Sequence, residues 1–206
     1  MNRFLFLLAI TTLTYSTATS QNIDMDFESQ KKSIIKMEFF SPLTGHTTLG
    51  YEKYIKDWLS WEAKVGIIGL GVDNTDNENP SGILFRGGPK FKLNPDFATR
   101  DLKGTHLLSG KYISPEIVFS TYKQDVITYD SGLDRRTREN FRSVAFIINY
   151  GRQYILADIM SVGWHVGVGY GFDNSDDDRY HHSHWNGTSD FPVALSGGFT
   201  IGVLLK

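Results

Sequence analysis

A strict two-residue alternation runs from Leu156 to Phe172. Met160, Val162, Trp164, Val166, Val168, Tyr170 and Phe172 occupy one set of positions. Ser161, Gly163, His165, Gly167, Gly169 and Gly171 occupy the other. Successive side chains of a strand point to opposite sides, so the order gives one wholly apolar face and one small or polar face. A helix would mix the two sets around its circumference.

The pattern recurs along the chain. Val193, Leu195, Phe199, Ile201 and Val203 oppose Ala194, Ser196, Gly198, Thr200 and Gly202. Leu59, Trp61, Ala63, Val65 and Ile67 oppose Ser60, Glu62, Lys64 and Gly66. Ile83, Phe85 and Phe91 oppose Arg86, Gly88, Lys90 and Lys92, and Ile113, Ile117 and Phe119 oppose Ser114, Glu116 and Ser120. Val144, Phe146, Ile148 and Tyr150 oppose Ser143, Ala145, Asn149 and Gly151. Weaker strands fall around Ile34–Phe40 and Thr47–Tyr54. An even number of strands, eight here, lets a meander close with both ends on one rim.

The connections divide by length. Tyr54–Asp57 and Arg152–Ile155 read as tight turns, whereas Val72–Ser81, Tyr122–Asn140 and Asp173–Asp190 read as long polar loops. Short turns on one rim and long loops on the other suit an outer-membrane barrel. Pro42–His46 is shorter, and Asn94–Gly110 longer, than that scheme expects. Pro89 and Pro115 fall inside strands, where a missing donor predicts a bulge or a strand end.

The apolar face fits either a soluble barrel around a ligand or a membrane barrel against lipid. The small residues of the opposite face favour the second, because eight strands leave a bore just wide enough for side chains. An uncharged face seven residues long would also be an aggregation hazard in water. The expected architecture is therefore an all-β, eight-stranded antiparallel up-and-down transmembrane β-barrel. Lipid would meet Val162, Trp164, Val166, Val168, Tyr170, Phe199, Ile201 and Val203. Glu52, Glu62, Lys64, Arg86, Lys90 and Glu116 would form a charge network in the lumen, with Lys36, Glu38 and Lys92 on the same parity. Buried charges must be paired or hydrated, so paired charges should plug the bore. A serine at Gly167 should find polar neighbours there.

The first 20 residues read as a secretory signal peptide. Arg3 precedes the apolar run Phe4–Ile10, and Ala18-Thr19-Ser20 offers small residues for cleavage before Gln21. The apolar run is too short for a spanning helix, which needs ~20 residues. Residues 21–32 read as a flexible lead-in and 33–206 as the barrel domain. The 206-residue chain has no cysteine, so no disulfide braces it, and its formal charge of −2 lacks the basic footprint of nucleic-acid binding.

Three stretches carry a resemblance: Arg86-Gly87-Gly88-Pro89-Lys90-Phe91, Gly110-Lys111-Tyr112-Ile113-Ser114-Pro115-Glu116, and Ser196-Gly197-Gly198-Phe199-Thr200-Ile201-Gly202. Together they resemble a family of small outer-membrane barrels with a conserved domain of unknown function, common in Bacteroidetes-type bacteria. The architecture is also similar to the membrane domains of OmpA and OmpX. The resemblance implies an outer-membrane location and no particular activity.

Candidate chemistry is thin. The acidic run Asp173–Asp178 fails the EF-hand pattern, with no glycine at position six. His181, His182 and His184 could in principle hold zinc or copper, but the expected state of Tyr180–Trp185 is a polar surface loop without metal. His181, Ser183 and Asp190 are the nearest approach to a hydrolytic set, as some lipid-modifying enzymes are eight-stranded barrels. His165 would face inward, away from lipid. The sequence thus predicts a non-enzymatic, cofactor-free monomer in the outer membrane, with lipid around it and loops free for a surface ligand. A lipid-modifying enzyme, a narrow channel and a soluble ligand-binding barrel are the alternatives.

Overall fold

The computed structural model describes residues 30–72, 79–93, 106–130, 133–175 and 179–206. The expected signal peptide, most of the lead-in and the acidic triplet 176–178 lie outside the described residues.

Eight strands close an up-and-down antiparallel barrel. They are β1 (Ser33–Glu38), β2 (His46–Lys56), β3 (Leu59–Ile68), β4 (Ser81–Leu93), β5 (Gly110–Asp130), β6 (Leu133–Leu156), β7 (Met160–Asp173) and β10 (Val193–Leu205). Each pairs with its neighbour, and β1 closes on β10 through Ser33↔Leu205 to Glu38↔Thr200. Both ends of the barrel therefore share one rim, called the lower rim below. Two short strands, β8 (Arg179–Tyr180) and β9 (Trp185–Asn186), form a hairpin between β7 and β10.

The period-two pattern dictates burial along every wall strand. In β3, Ser60, Glu62, Lys64, Gly66 and Ile68 are buried while Trp61, Val65 and Ile67 are exposed. In β7 the buried set is Ser161, Gly163, His165 and Gly171, and Val166, Val168, Tyr170 and Phe172 are exposed.

Three local expectations fail. Tyr122–Asn140 is not a loop. The ladder continues from Tyr122↔Phe141 through Lys123↔Asn140 to Asp130↔Leu133, so β5 and β6 stand above the barrel as a tall hairpin. Arg136, Thr137, Arg138, Glu139 and Asn140 are polar and all exposed, so no apolar–polar alternation marks the strand there. The turn expected at Arg152–Ile155 sits later, because β6 runs to Leu156 and pairs with Met160. Ala157 and Asp158 take positive φ values of 52° and 54° to make it.

The third concerns the prolines. Neither marks a bulge or a strand end. The β4–β5 register is unchanged on both sides, from Gly87↔Ile117 to Phe91↔Ile113. That register sets Pro89 opposite Pro115, each lacking the N–H the other would receive. Ser114 Oγ donates to the Pro89 carbonyl at 2.9 Å and replaces one missing bond. Gly88 lets the strands approach closely, since a Cβ there would lie 2.0 Å from the Pro115 carbonyl oxygen.

Candidate functional site

The inward faces converge on a lumen occupied in tiers. At the lower rim, Ile34, Leu108 and Leu204 form a buried apolar cluster, with Tyr54 and Ile155 against it. Leu108 belongs to the β4–β5 connection, whose described end folds under the bore. The Leu107 N–H donates to Gln30 Oε1 at 2.9 Å, and Gln153 Nε2 donates to the Leu108 carbonyl at 2.8 Å.

The middle tier is ionic. Lys36 pairs with Glu52 and, at 2.8 Å, with Glu62. Lys90 reaches Glu52 at 3.0 Å and Glu62 at 2.8 Å, and lies 4.0 Å from the centre of the Tyr112 ring. Gln153 Oε1 accepts from Lys36 at 2.6 Å and from Lys90 at 3.1 Å, and Ser60 donates to Glu52 at 2.6 Å. A step higher, Lys64 bridges Glu38 at 3.0 Å and Glu62 at 3.4 Å. Arg86 gives Nε and Nη2 to one Glu116 oxygen, at 3.0 and 2.7 Å. Nearly every member is buried, with Glu52 fully so and Arg86 only 1% exposed.

Glu52, Glu62, Lys64, Arg86, Lys90 and Glu116 thus lie together in one network with Lys36 and Glu38. Sequence reasoning missed Gln153 and Tyr112, and it placed Ser60 on the inward face without assigning it to the network. Gln153 was hidden because Arg152–Ile155 reads as a turn; continued strand parity would have placed it inward. The lumen also holds apolar groups on the polar parity. Ile68, Leu84, Tyr122 and Phe141 form one cluster, and Val118, Ala145, Ile147 and Ala194 another.

The upper tier corrects the expectation for Tyr180–Trp185. Most of this stretch is not a surface loop. His181, His182, Ser183 and His184 are buried, because the β8–β9 hairpin turns down into the bore. His181 Nε2 meets Asp173 at 2.8 Å, and its Nδ1 lies 3.3 Å from the Tyr122 hydroxyl. His184 sits between Ser183 Oγ at 2.9 Å and Ser143 Oγ at 3.0 Å. His182 stands edge-on to Tyr122, with ring centres 4.9 Å apart. Asn186 donates to Ser143 and Asp173 at 3.0 and 2.9 Å. The Ser183 carbonyl accepts from Arg86 Nη1 at 3.4 Å and ties the hairpin to the ionic tier.

This geometry separates the parts of a hydrolytic triad. Asp173 orients His181, while the serines meet His184, so no acid–imidazole–serine relay forms among the described residues. Asp190 is exposed and outside the cluster. Among the described residues, no three histidine or acid side chains converge as a metal site. His165 is buried and inward, beside Gly198.

Burial, followed by the charges of His181 and Arg86, pushes His184 down to about 3, and burial also lowers His181 despite Asp173. Their neutral forms favour the inserted hairpin. That contribution is complete above the ordinary histidine value of ~6.5. For His184 it declines as pH falls toward 3, at about 1.4 kcal/mol per pH unit, and His181 acts in the same direction. Acidification from pH 7 to 4 should therefore release the hairpin first. Amide exchange at His181, whose N–H donates to the His184 carbonyl at 2.8 Å, should accelerate while β-wall amides stay protected. Equal protection at both pH values would contradict this.

No protein-family model matches the chain, and no curated protein matches it. Among solved structures, the chain is similar to the N-terminal β-barrel domain of Pseudomonas aeruginosa OprF. The identity is 11% and the TM-score 0.37, over 85% of this chain and 98% of that one.

Proposed function

We propose that the protein is a non-enzymatic outer-membrane barrel whose lumen is closed and whose work is done by its wall and its upper loops. One observation carries this reading: the barrel is inverted relative to a soluble one. Outward residues from every wall strand are large, apolar and exposed, including Ile35, Leu49, Trp61, Phe85, Ile117, Phe146, Val166 and Phe199. The ions lie inside. An apolar surface of this extent exceeds what a soluble monomer exposes, whereas lipid favours it. Val162, Trp164, Val168, Tyr170, Ile201 and Val203 share that outward side and meet lipid with Val166 and Phe199.

The tiers support closure rather than conduction. An apolar floor, a paired ionic middle and an inserted hairpin each occupy the bore. The role that remains is structural, or recognition through the tall β5–β6 hairpin. The mature chain should fractionate with the outer membrane, resist carbonate extraction and migrate differently before and after boiling. Recovery as a soluble periplasmic monomer would sink the membrane reading. In planar bilayers the barrel should pass no steady current; an ion-selective conductance would overturn closure alone.

A further inference from the structure

We infer that the outer wall around β5 and β6 is a binding site for one phosphate-bearing acyl lipid. This inference rests on the membrane reading above. Two independent features of the same face point to it.

The first is a groove of 630 Å³ sunk into the otherwise convex apolar wall. Trp61, Ile117, Phe146, Ile148 and Tyr170 line it, together with Gly87. The facing prolines, Pro89 and Pro115, also line it, where the ladder is interrupted. Its size falls in the range of small-molecule pockets, ~300–1,000 Å³. Its lining is suited to hydrocarbon.

The second is a pair of outward cations above the groove on the same strands. Lys123 faces Asn140 and Arg142 faces Thr121. The two cations are diagonal neighbours, with a spacing of ~7–8 Å. Both are exposed. Two other cations of the hairpin are engaged: Asp125 holds Arg138 at 3.0 Å and Arg136 at 3.6 Å. Lys123 and Arg142 have no ion-pair partner among the described residues. Arg142 is set on a firm backbone, because its N–H donates to the Asn174 side chain at 2.8 Å.

The spacing fits a single lipid. Arg142 lies four residues from Phe146, or about 14 Å along the strand, and less along the normal for strands tilted ~35–45°. The next outward pair below the cations, Phe119 and Val144, is apolar. A phosphate on Lys123 and Arg142 would thus sit at the polar boundary while its chain descends into the groove. Both halves of the site select the same amphiphile.

The test folds the full chain into vesicles of phosphatidylcholine mixed with phosphatidylglycerol and counts retained lipids by native mass spectrometry. The wild type should retain one phosphatidylglycerol in preference to phosphatidylcholine. The double variant K123Q/R142Q should lose roughly tenfold or more of that preference, as expected for two basic residues at an anionic lipid surface. Gly87→Leu should fill the groove, since an added Cβ there meets the Phe85 ring edge at 3.3 Å and the Glu62 carbonyl at 3.6 Å, with no closer contact. It should weaken retention of long-chain lipid but not of short-chain lipid. Urea stability in pure phosphatidylcholine should be unchanged in both variants. Equal retention of both lipids by the wild type would overturn the inference. So would displacement by inorganic phosphate with no effect of Gly87→Leu, which would mean a plain anion site. Failure to insert into any vesicle would instead remove the membrane reading, and the inference with it.

Discussion

Glu62→Gln is expected to destabilise the barrel by about 3–5 kcal/mol, the usual cost of removing one partner from a buried ionic set. Glu62 accepts from Lys36 and Lys90 at 2.8 Å each and lies 3.4 Å from Lys64. Glutamine keeps the shape and an acceptor oxygen but removes the charge. Five inward cations, Lys36, Lys64, Arg86, Lys90 and Lys92, would then face only Glu38, Glu52 and Glu116. Urea titration of folding into lipid vesicles reads the change directly. Adding Lys90→Met to Glu62→Gln should recover part of the loss, because the pair shares one network and its effects should not add. A loss below about 1 kcal/mol, without recovery in the double variant, would mean that water hydrates these ions.

The wall was legible in the sequence because its physics is local. Each strand must send alternate residues to opposite sides, so the parity of Trp61, Val65 and Ile67 fixed that of Glu62 and Lys64. The prolines were legible as interruptions but not as partners. Only the register brings Pro89 opposite Pro115, and register is a relation between strands some 26 residues apart. The upper β5–β6 hairpin was lost for the opposite reason. From Arg136 to Asn140 every residue is polar and exposed, so that stretch carries no hydrophobic alternation.

The inserted hairpin was the least legible element. A stretch such as Tyr180–Trp185 is polar enough to lie in water, and nothing local opposes that. What draws it inward is the set of partners waiting in the bore: Asp173, Tyr122, Ser143 and Arg86, contributed by β7, β5, β6 and β4. A lumen already lined with polar groups offers a loop the hydrogen bonds that a hydrocarbon core would deny it. The same lining limits the space left. An inward Cβ at Gly167 would lie 2.2 Å from Asn149 Oδ1 and 2.7 Å from Ser196 Oγ. Gly167→Ser is therefore not the mild change that polar surroundings alone suggest; it overfills the lumen.

Val166→Arg should cost about 2–4 kcal/mol when the barrel folds into lipid, the penalty for a basic side chain at the midplane of a barrel wall. Val166 is 56% exposed, faces outward near the centre of β7, and has Tyr150 and Gly197 as its ladder partners. The position of the arginine along the strand supplies the control. Phe172 has the same parity but lies at the upper end of β7, where the penalty should fall to about 0–1 kcal/mol. Gly167→Ser tests the other side of the wall, since overpacking costs about 1–3 kcal/mol in any solvent. The three variants separate the two barrels that alternation alone permits. In a lipid-facing wall, Val166→Arg is severe, Phe172→Arg is mild and Gly167→Ser is costly. In a soluble barrel, both outward arginines would be close to neutral and only Gly167→Ser would be felt. Equal urea midpoints for Val166→Arg and the wild type in vesicles would place that face in water.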